Sequence, residues 1–348
     1  MTIGGYTHTR MTKAQPPKAV NEFEVLMAKQ EPRIRRALQE AYETIRNELD
    51  MAEVTRAIQT GDTDDIVQMV RPFVTNNALQ EFAAALSAST LAGSALAAEV
   101  QVPVRNLSGD VVNFVFDAAN PHISRFAQNY TTRRVREIGE DVRAIIREVI
   151  RSETTLGANP LQTARRIRES IGLTVRQERA VFNFRRMLQI GDAEALTRRL
   201  RDRRFDSTVE RSIADGVPLT QKQVDRMVAR YRARYIKYRS ETIARTEALR
   251  TVNGANNTFL QSYVDTGQIA AQQVKRFWHY SQDDKTRPAH RMIPSMNPEG
   301  VGLYESFRTP LGPLQYPGDP DGEAANVINC RCVAFNRVLS AELLEGLV

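Results

Sequence analysis

The chain has 348 residues, 42% of them hydrophobic and 26% charged, the balance of a folded protein with room for two or three domains rather than of a disordered or fibrous one. Two cysteines one residue apart exclude a disulfide framework, and no basic-then-apolar leader opens the chain, so it is expected to stay in the reducing compartment where it is made. The net charge of +7 is uneven: residues 131–250 hold 28 Lys and Arg against 16 Asp and Glu, and the rest of the chain is net acidic.

Residues 1–18 mix Gly, Thr, Lys and Pro without an apolar period and read as a tail. From Val20 the pattern is helical. Phe23, Leu26 and Met27 are followed by the stripe Ile34, Leu38, Tyr42, Ile45 and Leu49, and Pro32 is expected to open a new helix between them. Gly61 stops this region, and Asp62-Thr63-Asp64 offers an N-cap for a helix pair over 64–98. Phe82–Ala98 carries no charge and sits at the short limit for crossing a bilayer. Because Ala, Ser, Thr and Gly dominate it, a closely packed bundle helix is expected there, with a membrane span as the alternative.

Val111–Phe116, set between Pro103 and Pro121, predicts a short strand or an irregular connector. Helices are expected over 123–151 and 160–171, then Arg-rich helices through Arg204. Gly216–Thr220 reads as a turn ending on an N-cap, and Thr220–Arg245 as one long basic helix. The candidate contacts to a DNA backbone are Arg185, Arg186, Arg198, Arg199, Arg203 and Arg204, with Arg230 and Arg234 on the next helix, because guanidinium groups bind phosphate bidentately and displace counterions. The interspersed acids offer the alternative of a solvated face held by ion pairs. No zinc-finger spacing or RNA-binding aromatic signature is present, so such binding would be indifferent to base.

A further helix from Ser240 to about Thr266 puts Glu247, Arg250 and Gly254 on neighbouring turns, a carboxylate, a guanidinium and a bare patch of backbone suited to holding a strand or loop. Gly267 ends it. Val274–Tyr280 has strand character, and His279 should face away from Trp278. Asp283-Asp284-Lys285-Thr286-Arg287 is expected to cap and open a short helix carrying His290. Phe307 and Tyr316 are the expected anchors of a Pro- and Gly-rich stretch. Val327–Phe335 then forms a final strand in which Cys330 and Cys332 share one face and Arg331 takes the other.

Three roles are open to these thiols. With His290 and Asp283 they would complete a four-ligand metal site, although a one-residue gap fits the usual C-x₂₋₄-C zinc spacing poorly. A Cys-His or Asp-His pair would supply hydrolytic chemistry, but no nucleophile elbow, phosphate loop or His-Glu-x-x-His helix accompanies it. The reading adopted is structural: two reduced, buried, metal-free thiols under the Trp278 strand, with His290 hydrogen-bonded to a carbonyl or to Asp283. No catalytic residue, metal or cofactor is assigned.

Taken in order, Ala244-Arg245-Thr246-Glu247, Arg250, Trp278, Asp283, Arg287, His290, Pro317-Gly318-Asp319-Pro320 and Asn329-Cys330-Arg331-Cys332 form a spaced set. It resembles the carboxy-terminal domain of the phage head morphogenesis family, the Mu F-like or SPP1 minor head proteins. The resemblance covers about residues 240–338 and departs after His290, where Met292-Ile293-Pro294-Ser295 replaces the usual small-residue turn. The expected organisation is a tail over 1–18, mainly α regions over 19–130 and 131–239 (the second one basic), a small α+β domain over 240–338, and a tail over 339–348.

What the resemblance implies is a non-enzymatic minor capsid protein of a tailed phage or prophage, acting in head assembly at the portal vertex. Portal protein and coat or scaffold proteins would be its partners, with non-specific DNA contact during packaging or delivery in some members. No small-molecule substrate or membrane contact is expected. Its place would be the virion head, after assembly in the host cytoplasm. The alternatives are a nucleic-acid-processing or toxin-like enzyme of phage origin, against which stand the mere 16 residues after Cys332, and a general DNA-binding protein.

Overall fold

The computed structural model describes residues 18–72, 78–155 and 157–345, so of the tail read over 1–18 only Lys18 falls within it. Helix α1 (Lys18–Glu48) runs unbroken through Pro32, where a new helix was expected. The correction has a packing cause. Val20 and Phe23 before the proline lie in a core beside the sheet, and Ile34, Leu38, Tyr42 and Ile45 after it lie in the core of the helical bundle. One straight run serves both, which outweighs a local penalty of about 3 kcal/mol.

Helix α2 (Met51–Thr60) starts on Asp50, whose carboxylate accepts from Ala52 N at 2.8 Å and Glu53 N at 3.1 Å, and ends on Gly61 at φ 77°. Helix α3 (Thr63–Pro72) and helix α4 (Gln80–Glu99) form the expected pair. The β-prone segment yields only the two-residue hairpin β1 (Val104–Arg105) and β2 (Val111–Val112); Asn113–Phe116 continue outside it. Phe114 instead packs its ring against Tyr263, and the Tyr263 hydroxyl takes the Val115 N–H at 2.7 Å.

Helices α5 (Pro121–Thr155), α6 (Pro160–Ser170), α7 (Val175–Ile190) and α8 (Asp206–Ala214) follow, with 3₁₀ turns over Ala193–Thr197 and Arg203–Phe205. Helix α9 (Gln221–Asp265) is the axis of the molecule. It starts on a capping box, Thr220 N to Gln223 Oε1 at 2.8 Å and the reciprocal bond from Gln223 N, and closes before Gly267 at φ 72°. At 45 residues it spans about 68 Å. The long basic helix and the helix from Ser240 are therefore one element. The boundaries drawn at 130/131 and 239/240 fall inside α5 and α9.

Helix α4 is, by length and composition, the one helix among the described residues able to cross a membrane. Here it lies against α9, α1 and α5. A Cβ on Gly93 would come 3.0 Å from Val252 Cα and Ala255 Cβ, and Ser89 and Thr251 share a hydroxyl hydrogen bond of 2.7 Å, so α4 and α9 meet through small residues.

At the carboxy-terminal end of α9, strand β3 (Val274–His279) is the centre of an antiparallel sheet. The order is β4–β3–β5, with β4 (Val301–Gly302) and β5 (Val333–Val338) on its two sides. Trp278 is buried and His279 half-buried, as strand alternation requires. Helix α10 (Pro288–Met296) carries His290, α11 (Ala324–Val327) is a single turn, and α12 (Ala341–Glu345) is a short helix within the expected tail. Mainly α regions joined to a small α+β carboxy-terminal region are thus the observed fold class.

Candidate functional site

The residues singled out in the sequence converge on the second half of α9 and the chain that folds back onto it. Arg245 donates to Asn329 Oδ1 at 3.3 Å and to Glu31 Oε1 on α1 at 3.0 Å. Thr246 Oγ1 takes the Asn329 N–H at 3.1 Å. Asn329 is the one non-glycine residue at positive φ among the described residues, 57°, a conformation Asn tolerates, and these two bonds hold it there. The expected strand over Val327–Phe335 is corrected accordingly: α11 and the Asn329 turn occupy 324–329, and β5 begins only at Val333.

Glu247 is buried and receives the Tyr130 hydroxyl and Arg250 Nη1 at 3.4 Å, with Arg134 Nε 3.2 Å away as an ion-pair partner. Burial and the Glu247 carboxylate push the Tyr130 phenol well above its ordinary range. Arg250 also donates to Gly318 O at 3.0 Å. Gly318 sits at φ 85° where a Cβ would meet Leu249 Cδ2 at 2.7 Å, so only glycine lets this loop lie on α9. Asp319 shapes the same loop by accepting from Gln315 N at 2.8 Å and Asp321 N at 3.0 Å. Of the side shared by Glu247, Arg250 and Gly254, Arg250 holds the loop, while Glu247 faces Tyr130 and Arg134 of α5 and Gly254 packs on Phe126 of α5 and the Tyr316 hydroxyl.

Of the stretch Asp283–Arg287 read as capping α10, Arg287 occupies the cap position with no side-chain cap, and Pro288 supplies a first-turn residue that needs no donor. Asp283 bonds Lys285 N, Thr286 Oγ1 and, at 3.2 Å, Arg331 Nη1; Arg287 reaches back to Ile328 O.

Cys330 and Cys332 are buried free thiols that point to the same place although neither lies in a strand. His290 Nδ1 is 3.4 Å from each sulfur. Its Nε2 is 2.9 Å from Asn326 Oδ1, a side-chain amide and not Asp283. Asn326 Nδ2 donates to Thr309 Oγ1 at 3.0 Å, Gly312 O at 3.2 Å and Leu311 O at 3.3 Å, so its oxygen must face the ring. Nε2 therefore carries the hydrogen, and the Nδ1 lone pair points at the sulfurs. Trp278 closes the cluster, edge-on to His290 at 5.7 Å, and its buried indole N–H has no acceptor. Burial, the largest single influence, pulls the His290 imidazole down, but the hydrogen bond to Cys330, the Cys330 charge and the Asn326 hydrogen bond together outweigh it and leave it raised. The same contact and the bond from Cys332 draw the Cys330 thiol down against burial, whereas burial and the Cys330 charge push Cys332 up.

Sequence reasoning missed two sets of residues. Asn253 Oδ1 takes the Ala334 N–H at 2.9 Å, Asn256 Nδ2 donates to Ala334 O at 2.8 Å, and Asn256 Oδ1 takes Asn336 Nδ2 at 3.0 Å, docking β5 on α9. Their signal was a run of poor helix formers, Asn253, Gly254, Asn256 and Asn257, in mid-helix. Arg276 had no signal. It is fully buried in β3 and donates to Gly302 O at 2.9 and 3.0 Å, Gln315 O at 2.6 Å, Asn257 Oδ1 at 2.9 Å and Glu305 O. Burial lowers its pKa to about 10, so it stays cationic at neutral pH.

The basic middle divides in two. Arg185 pairs with Asp225 at 2.6 Å, Arg198 with Glu194 at 2.7 Å, and Arg204 and Arg234 with buried Asp202 at 2.6 and 3.2 Å. The Arg204 hydrogen bonds hold the Asp202 carboxyl down to about 2. These four of the candidate DNA contacts thus have intramolecular acidic partners. Arg186, Arg199, Arg203 and Arg230 are exposed, and none has an acidic partner among the described residues. Arg199 lies over the Tyr238 ring at 5.4 Å.

Compared with known proteins, the chain matches no family model, no curated protein and no solved structure.

Proposed function

We propose that the chain is a non-enzymatic minor head protein of a tailed phage or prophage that joins the head at the portal vertex. One observation carries this reading: the residues of the resemblance, scattered over ninety positions in sequence, act together as fasteners. Arg245, Thr246, Arg250, Arg287, Asp319, Asn329 and Arg331 make their hydrogen bonds and ion pairs within the chain itself, to its loops and to helices α1 and α9, which suits an assembly module better than a reaction centre. Portal protein is the expected direct partner, with coat or scaffold proteins beside it. Co-expressed with portal protein, the chain should co-purify with it in a complex that survives gel filtration. Failure to do so when both proteins are folded and soluble counts against the reading.

Contact with packaged DNA belongs to the same proposal and rests on the four exposed arginines without acidic partners. Replacing Arg186, Arg199, Arg203 and Arg230 together with Gln should lower DNA retention equally for unrelated sequences. The salt dependence should flatten by up to about 0.9 for each phosphate the variant no longer neutralises. Retention and slope equal to those of the wild type would withdraw the DNA role.

A further inference from the structure

We propose that His290, Cys330 and Cys332 form a zinc site, with water as the fourth ligand. In sequence the metal reading is disfavoured, because two cysteines one residue apart do not make the usual zinc pair. The fold supplies what the spacing lacks. Helix α10 brings an imidazole to the two sulfurs, and the donor atoms of all three residues lie within 4.8 Å of one another. In a tetrahedral shell with Zn–N near about 2.05 Å and Zn–S near about 2.3 Å, nitrogen and sulfur stand about 3.6 Å apart. Both observed separations are 3.4 Å.

Hydrogen bonding around the trio points the same way. A neutral imidazole lone pair can accept one S–H, yet two sulfurs converge on this one. An ion at the centre of the triangle would bind all three donors at once. The Asn326 amide fixes the tautomer that presents Nδ1, the arrangement by which an outer hydrogen bond orients a metal-bound histidine. Cys330 Sγ takes the Cys332 N–H at 3.4 Å, a donor that would stabilise a thiolate there.

Binding converts two thiols to thiolates and releases two protons to solvent, without any redox change. Asp283, the fourth ligand considered from sequence, is engaged with Arg331, and among the described residues no other His, Cys, Asp or Glu joins the trio. Of the three residues, Cys330 borders a cleft of about 320 Å³ among α1, α9 and the chain at 330–331. Soft thiolate ligands with one imidazole select zinc over magnesium or calcium. The zinc site does not depend on the role in head assembly.

The test uses the full chain, purified under reducing conditions, loaded with zinc chloride and desalted. Elemental analysis should find about one zinc per chain, and cobalt in its place should give thiolate-to-cobalt charge-transfer absorption. Cys330→Ser and Cys332→Ser should each lower zinc affinity at least about tenfold, and Asn326→Ala by about 10–100-fold. Because substitutions at these buried positions can also disturb folding, the wild type supplies a separate readout: both thiols should alkylate more slowly with zinc than after a chelator, at unchanged circular dichroism. A helical wild-type chain that retains below roughly a tenth of a zinc, with alkylation indifferent to zinc, overturns the proposal. So does zinc retention that neither serine variant reduces.

Discussion

Arg276→Met is expected to lower the unfolding free energy by about 4 kcal/mol or more, read from urea midpoints. The guanidinium serves Gly302 O, Glu305 O and Gln315 O from within β3, and it holds the irregular chain of 302–315 against that strand. Met fills similar volume but leaves these buried acceptors unmet, each at about 1–3 kcal/mol. Lys restores charge without the fork and should recover little, because one ammonium cannot reach acceptors on three segments. Hydrogen exchange should rise first over 302–315. A loss below about 1 kcal/mol would mean that water serves these carbonyls and that the Arg276 geometry is not what holds the loop.

Glu247→Gln is expected to cost about 3–5 kcal/mol. The carboxylate is shared by two cations from two helices, Arg134 on α5 and Arg250 on α9, and by the Tyr130 hydroxyl. Removing its charge leaves two neighbouring guanidinium groups buried without this counterion, whereas Gln preserves shape and so isolates the electrostatic part. The exposed pair Arg133–Asp321 offers the contrast: Asp321→Asn should change stability by no more than about 1 kcal/mol. Equal effects at the two sites would contradict the buried network.

Much of this was legible in the sequence, for reasons that can be named. Caps announced themselves where side-chain chemistry is local: Thr220 at the start of α9, and Gly61 and Gly267 at helix ends. The apolar anchors Phe307 and Tyr316 are buried as expected. Pro32 misled because its penalty is local while its compensation, two cores gripping one helix, is tertiary. The last strand was expected from Val327 because Val327 and Ile328 look extended, although Asn329 turns the chain between them and β5. That His290 faces both cysteines was one of several open arrangements, since forty residues and a sheet separate them. That Arg198 pairs with Glu194 was open to the i,i+4 rule, whereas Arg204 and Arg234 meeting on one buried Asp202 required the fold.

Placement at the portal vertex is tested most sharply by electron microscopy of assembled heads carrying a tagged copy of the chain. Label confined to the single portal-bearing vertex is the expected result. Label spread evenly over the coat, or heads that assemble without the chain entering them, would contradict it.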